Sequence, residues 1–193
     1  MGKLFYIMGK SASGKDTIYQ RLLRNPEFSL ERLVIYTTRP IRDGELDGRE
    51  YHFVTEEDFQ KLKAEGKIIE DRGYETVYGL WRYFTADNMN LEEKSYLGIG
   101  TLESYEKLKA YYGEEKIRPI YIEVEDGERL KRAIAREETQ EAPKYEEMCR
   151  RFLADAQDFS EEKIRQAGIT HRFSNMYGAG CYSEIEKYLR SVL

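Results

Sequence analysis

The sequence predicts an α/β fold, with a parallel central sheet and helices on both of its faces. Short apolar runs alternate with stretches of helical periodicity along the chain. The first run, Leu4 to Met8, feeds a glycine-bounded loop, Gly9 to Gly14, which opens onto a helical pattern beginning near Lys15. One segment, 37–90, interrupts the alternation with turn signals and closely spaced strand-like runs, the mark of a small mixed α+β insertion. Right-handed crossovers between parallel strands make a three-layer architecture the economical one.

The apolar run from Leu4 to Met8 is long enough for a buried strand and too short for a helix. Gly9 and Gly14 then let the backbone turn tightly, so that successive amide hydrogens point at one anion. A helix starting near Lys15 adds its own unpaired N–H groups and the positive end of its dipole. Lys15 supplies a point charge that reaches the outer phosphates of a nucleoside triphosphate. This G-x-x-x-x-G-K spacing makes the expected fold a three-layer P-loop NTPase fold, with Gly9, Ser11, Ala12, Ser13, Gly14, Lys15, Asp16 and Thr17 as the triphosphate site. The motif's closing Ser or Thr is missing; Asp16 stands there, followed by Thr17. A strand-to-helix turn that binds nothing is the competing reading, and the legible strand and helix on either side weigh against it.

A chain of 193 residues with 40% hydrophobic content builds one α/β domain with a sizeable core. The net charge of −5, with both signs well mixed, argues against broad nucleic-acid binding and leaves room for a local basic site. Cys149 and Cys181 lie far apart without metal-ligand spacing, so reduced thiols in small core positions and a cytoplasmic setting are expected. The early apolar run is too short for a signal peptide's apolar region or a membrane span.

After the loop, Ile18, Leu22 and Leu23 share a helical face, closed by Asn25-Pro26, and Leu33 to Tyr36 reads as a second buried strand. Thr55 to Asp58 forms a capping-box pattern before a short helix with Phe59 and Leu62. Strand-like residues from Ile68 to Phe84, with turns expected at Gly73 and Gly79, predict antiparallel hairpins. Tyr96 to Ile99 resumes the buried-strand pattern. Leu102, Tyr105, Leu108 and Tyr112 mark a helix ended by Gly113, and Ile117 to Val124 is the next strand. Leu130, Ala133 and Ile134 mark another helix. Glu137 to Pro143 is acidic and broken by proline, so a mobile lid is expected over about 137–150, followed by a long helix from Lys144 to about Gln166 with Met148, Phe152 and Phe159 inward. His171 to Asn175 reads as a last strand and Ile185, Tyr188, Leu189 and Val192 as the closing helix. The expected organisation is a single domain, 1–193, with core 1–36, 95–136 and 167–193, the insertion 37–90 and the helical lid.

Ligands of an open parallel sheet gather at the carboxyl ends of its strands. Arg39 and Arg42, in the turn-rich stretch after the second strand, are placed to clamp a second phosphate opposite the first, with Tyr51 and Tyr78 as hydroxyl donors. Solvation of an ordinary loop is the bland alternative. A row of arginines, Arg129, Arg132, Arg136, Arg150 and Arg151, flanks the lid. Phosphoryl transfer needs in-line positioning and cations on the transferred group, which selects Arg132, Arg136 and one of Arg150 and Arg151, here Arg151, beside Lys15 as the catalytic candidates. Ordinary surface pairs at helical spacing, such as Arg132 with Arg136 near Glu128, compete for each.

The stretch Thr37-Thr38-Arg39-Pro40, Arg42, Gly44-Glu45, Gly48, Tyr51 and Phe53 is similar to the nucleotide-monophosphate loop of guanylate kinases, and the chain resembles that family over nearly its whole length. The resemblance implies transfer of a phosphoryl group from ATP to GMP with Mg²⁺, and small-molecule nucleotides as partners with neither nucleic acid nor membrane. It implies that Arg39, Arg42, Tyr51 and Tyr78 hold the GMP phosphate, that Glu70 accepts hydrogen bonds from the guanine N1 and N2 edge, and that Asn175 lies near the adenine of ATP.

Three departures qualify the likeness. Ile35 and Leu80 stand where that family carries hydroxyl residues near the base, and the loop between Glu70 and Tyr78 is one residue short. Gly98-Ile99-Gly100 replaces the family's Asp-x-Asp beside the metal. Asp16 offers a substitute Mg²⁺ ligand within the phosphate loop, and capping of the first helical turn is its bland alternative. A catalytically weak or inactive guanylate-kinase-like binding module, and a P-loop kinase with a different phosphorylated acceptor, remain the alternative functions.

Overall fold

A computed structural model describes residues 2–76, 79–176 and 179–193. The chain opens with β1 (Leu4–Met8), α1 (Lys15–Leu23), β2 (Glu31–Arg32), β3 (Tyr36–Thr37), β4 (His52–Phe53), α2 (Glu56–Ala64), β5 (Ile68–Thr76) and β6 (Gly79–Ala86). It continues with β7 (Tyr96–Ile99), α3 (Leu102–Tyr112), β8 (Ile117–Glu123), α4 (Asp126–Glu138), α5 (Tyr145–Asp158), α6 (Glu161–Gln166), β9 (Arg172–Ser174) and α7 (Ala179–Val192).

The central sheet is parallel throughout, in the order β2-β7-β1-β8-β9. Every residue of β1 is buried, and the two-residue period of a strand divides them between two cores. Phe5 and Ile7 join Ile18 and Leu22 of α1 and Ile185 and Leu189 of α7 on one face. Leu4, Tyr6 and Met8 join Leu102, Tyr105 and Leu108 of α3 and Ile164 of α6 on the other. Each fully buried Leu, Ile or Phe of these layers contributes about 1.5–3 kcal/mol. No helix among the described residues is long and apolar enough to cross a membrane.

A second, four-stranded sheet has the order β4-β3-β6-β5, with β3 and β4 parallel and the other pairs antiparallel. Its buried apolar cluster is Phe59, Phe84 and Ala86, far smaller than either core of the central sheet. The Thr55 capping box predicted for α2 is formed, with reciprocal Thr55 and Asp58 contacts.

Several expectations change. The second strand divides: Leu33 still donates to Leu97 of the central sheet, at 2.9 Å, while Ile35 accepts from His52 in the second sheet, also at 2.9 Å. Leu33–Ile35 is therefore the crossing between sheets, and Tyr36 belongs to β3. Gly73 is no turn; it sits within β5 opposite Arg82, and the β5–β6 pairing runs on to Thr76 opposite Gly79. The helix expected over 144–166 is interrupted at Ser160, whose hydroxyl accepts the Lys163 N–H and starts α6 afresh. In α4 the buried stripe is Arg129, Ala133 and Glu137, since that face meets α5 and the phosphate loop and not an apolar sheet. Cys181 is buried as expected, whereas Cys149 is exposed.

Candidate active site

Strand β1 lies between β7 and β8, so the order of connections reverses there and a crevice opens beyond its carboxyl end. The Gly9–Lys15 loop occupies that position. Gly14 is the N-cap of α1 in a left-handed conformation (φ 83°), and a Cβ there would lie 2.5 Å from Asn175 Nδ2. Both constraints call for glycine. Asn175 itself donates from Nδ2 to the Ser13 carbonyl at 2.8 Å, tying the end of β9 to the loop.

The far side of the loop is held by α4 and α5. Asp155 accepts the Ser11 backbone N–H at 2.7 Å. Arg129, only 1% exposed, donates to the Ser11 carbonyl at 3.0 Å, pairs with Asp126 at 2.7 Å and lies 3.4 Å from Asp155. Arg151 Nη2 reaches Ser11 Oγ at 3.4 Å. A buried guanidinium is tolerated only with such partners, and Arg129 is thereby a fixed strut.

Burial lowers the Lys15 pKa, while the Asp16 and Asp155 charges oppose that shift and Arg151 and Arg136 reinforce it. The groups felt by the ammonium therefore include two of the predicted arginines. Arg132 is occupied elsewhere: it donates to the Asn175 and Met176 carbonyls at 3.0 Å each and pairs with Glu128 at 3.1 Å. Asp16 Oδ2 lies 3.9 Å from Lys15 Nζ with its side chain 85% exposed, and Thr17 is exposed too.

On the acceptor side, Arg39 is buried, paired with Glu45 at 2.8 Å and donating to the Pro40 carbonyl at 2.9 Å. The Arg42 side chain is exposed, and its backbone N–H is fixed by Glu45 at 2.8 Å. The Tyr51 ring packs edge-on to Tyr83. Tyr78 lies outside the described residues. Glu70 is buried, accepting from Thr85 Oγ1 at 2.8 Å and from Ser104 Oγ at 3.4 Å, with Arg72 Nε also 3.4 Å away. A cavity of about 490 Å³ spans the two sheets here, lined by Ile35, Tyr51, Arg72, Tyr83, Ile99 and Gly100 among others.

The glycines of β7 have a packing reason. A Cβ on Gly98 would approach Tyr6 Cδ2 at 2.6 Å, and one on Gly100 would overlap the Tyr6 hydroxyl. The Tyr6 phenol, bonded to Ser104 and buried, fills the space where side chains of β7 would stand. Burial, with the Glu70 charge, pushes its pKa well above the ordinary tyrosine value. Among the described residues no group of three or more His, Cys, Asp or Glu is arranged to hold a metal ion. A lone open carboxylate, Asp16, beside Lys15 does suit a cation that keeps most of its waters and arrives with phosphate oxygens.

Sequence reading passed over Asp155 and Arg72 and ranked Arg129 below its neighbours. Asp155 carried a signal, falling one helical turn after Arg151 on the face turned to the loop. Arg72 carried one as well, sharing a strand face with Glu70 at a spacing of two residues.

A family model described as guanylate kinase matches residues 1–164. A guanylate kinase of Wolbachia pipientis wMel is 31% identical over 157 residues, covering 81% of this chain and 75% of that protein. One from Schizosaccharomyces pombe is 40% identical over 101 residues, or 52% of this chain. The chain spans about half the length of such curated relatives, 44% for the S. pombe protein and 45% for one from Vibrio parahaemolyticus. The crystal structure of guanylate kinase from Anaplasma phagocytophilum matches with a TM-score of 0.65 at 22% identity, covering 98% of this chain and 85% of that one, which is a likeness of fold.

Proposed function

Because the chain belongs to the guanylate kinase family, we propose that it transfers the γ-phosphoryl group of ATP to GMP, giving ADP and GDP. The observation that carries this reading is that Arg136 and Arg151, from the two helices that flank residues 139–144, line one cavity with Ser11 of the Gly9–Asp16 loop, Arg151 Nη2 lying 3.4 Å from Ser11 Oγ. Cations placed around a transferring phosphoryl group lower its barrier by stabilising the charge spread over its oxygens.

In this reading the loop amides of residues 9–14 and Lys15 bind the triphosphate, and Asn175, Asp155 and Arg129 keep the loop in shape. Arg136 and Arg151 approach the transferred group as the lid formed by residues 137–150 closes. Arg132 acts through the Asn175 and Met176 carbonyls, on the adenine side. Arg42, Tyr51 and Tyr78 meet the acceptor phosphate, with Arg39 held rigid by Glu45 beside them. Mg²⁺ bound with ATP supplies further charge neutralisation, and Asp16 would hold it. A cytoplasmic setting suits ATP as donor and the two unpaired thiols.

The space taken by Tyr6 at Gly98 and Gly100 favours a second reading, a binding module that holds nucleotide without turnover. A coupled ADP-release assay with ATP, Mg²⁺ and a panel of nucleoside monophosphates decides between them. GMP-dependent ADP release is expected. GMP binding without ADP release from any monophosphate favours the module, and turnover with AMP or UMP alone moves the reading to another acceptor.

A further inference from the structure

We propose that the Tyr6 hydroxyl is a positioning group for Glu70, acting through Ser104, so that a residue of the strand feeding the phosphate loop sets how selectively the acceptor base is held. This rests on the acceptor-site reading above, with Glu70 as the carboxylate that meets the guanine edge, and adds what holds that carboxylate in place.

Glu70 stands at the inner end of one face of β5. Arg72 and Tyr74 follow at alternate positions, share that face and line the 490 Å³ cavity. Behind Glu70, a row of polar side chains crosses from the second sheet to the central one. Thr85 of β6 donates to one Glu70 oxygen at 2.8 Å, Ser104 of α3 donates to the other at 3.4 Å, and the Tyr6 phenol of β1 is bonded to Ser104. Each of these four residues is 4% exposed or less. Tyr6 is opposite Gly98 in the sheet, and its hydroxyl lies against Gly100, so the bare backbone of β7 leaves the gap through which the row runs.

The donors of this row all point one way. An ionised carboxylate only accepts, so the single Ser104 proton goes to Glu70 and Ser104 Oγ takes its own bond from Tyr6. Burial supports that direction, because it keeps the phenol protonated. The Thr101 hydroxyl, 3.1 Å away, fills the second lone pair of Ser104. A carboxylate offers about four acceptor positions, of which Thr85 and Ser104 leave about two for a ligand. Guanine presents adjacent donors there, N1–H and the 2-amino group, whereas adenine has an acceptor at N1 and no amino group at C2. A site whose acceptors are fixed and buried rejects the base that leaves them unpaired. Without the phenol, Ser104 is free to turn, and the carboxylate loses one of its two fixed bonds.

Trp81 is the single tryptophan of the chain and lines the cavity, so its fluorescence reports binding without catalysis. Tyr6→Phe keeps the ring beside Gly98 and removes only the hydroxyl. In titrations of the full chain it should weaken GMP about tenfold and AMP by less than about twofold, lowering the GMP to AMP preference by nearly the same factor. In turnover the loss should fall on the GMP KM, with kcat and the ATP KM within about twofold of the parent. Ser104→Ala should do the same. The double variant should be no worse than either single one, because the two hydroxyls act in series.

A GMP to AMP preference unchanged from the parent in Tyr6→Phe would overturn the inference, as would additive losses in the double variant or equal losses for GMP, AMP and ATP. Should Tyr6→Phe fail to fold, the same preference measured in Ser104→Ala decides. If the preference moves as expected but the parent releases no ADP, the phosphotransferase reading fails and this inference stands. A parent that prefers GMP, with variants that keep that preference, leaves the acceptor reading and removes this inference. A parent with no preference for GMP removes both.

Discussion

The Asp155 carboxylate accepts the Ser11 backbone N–H at 2.7 Å, so a residue of α5 is bonded to the backbone of the phosphate loop. The same carboxylate lies 3.4 Å from Arg129, whose other partners are Asp126 and the Ser11 carbonyl. Helix α5 thus carries a charge that fixes the loop and, one turn earlier, the Arg151 expected to act within it. Asp155→Ala removes a charge-assisted hydrogen bond and leaves a buried guanidinium with one partner fewer. It should cost about 1.5–3 kcal/mol in urea unfolding. A loss below about 0.5 kcal/mol, the usual range of a surface change, would show that the contact does not hold the loop.

Lys15→Met separates function from stability. Loss of its charge should lower kcat/KM by about 10²–10³-fold, yet the fold should not weaken, because burial already disfavours the charged lysine. The sign follows from linkage: with the folded pKa below the ordinary 10.5, the unfolded chain binds the proton more readily. The resulting penalty is full below the folded pKa and is relieved as the pH rises through the window up to 10.5. Urea midpoints of parent and variant across that window should therefore converge. A variant less stable than the parent at neutral pH would contradict this.

Glu45 gives the opposite dependence. The Arg39 hydrogen bond, then the Arg42 N–H, hold its carboxyl below the ordinary glutamate value of 4.5. Its contribution is full above pH 4.5 and disappears as the pH falls through the lower folded value. Amide protection in residues 39–50, relative to the intrinsic exchange rate at each pH, should fall on acidification in the parent, and Glu45→Gln should show low protection at all pH values. Equal exchange in parent and variant at pH 7 would refute the role given to this pair.

Tyr6 and the two glycines of β7 form a coupled set. Gly100→Ala should cost about 1–3 kcal/mol through overlap with the Tyr6 hydroxyl. Tyr6→Leu in the same chain should recover part of that loss, giving a favourable coupling of at least about 0.5 kcal/mol in a double-mutant cycle. Additive effects would mean that Tyr6 does not fill the space beside Gly100.

The central sheet and the loop were legible because their signals are local. Leu4 to Met8 is continuously apolar, and Gly9, Gly14 and Lys15 keep a fixed spacing. The break between Leu33 and Tyr36 was not legible, since either sheet accepts the same apolar residues and only the pairing of Ile35 with His52 decides. Gly73 mimicked a turn, although it lies where the Leu80 side chain crosses β5; a Cβ there would meet Leu80 Cδ1 at 2.9 Å. At the site, the arginines were visible as a row but not their destinations. Arg129 and Arg132 are three residues apart on one helix, yet one braces Ser11 and the other the Asn175 and Met176 carbonyls. Those partners are brought near by tertiary folding and leave no trace in the spacing.

The most direct test of the central claim is the formation of GDP from GMP, ATP and Mg²⁺, followed by chromatography for the full chain beside Lys15→Met. The account predicts one GDP for each ADP released by the parent, and about 10²-fold less or lower still from the variant. Absence of GDP from a parent that binds both nucleotides, or equal rates from the two proteins, would contradict it.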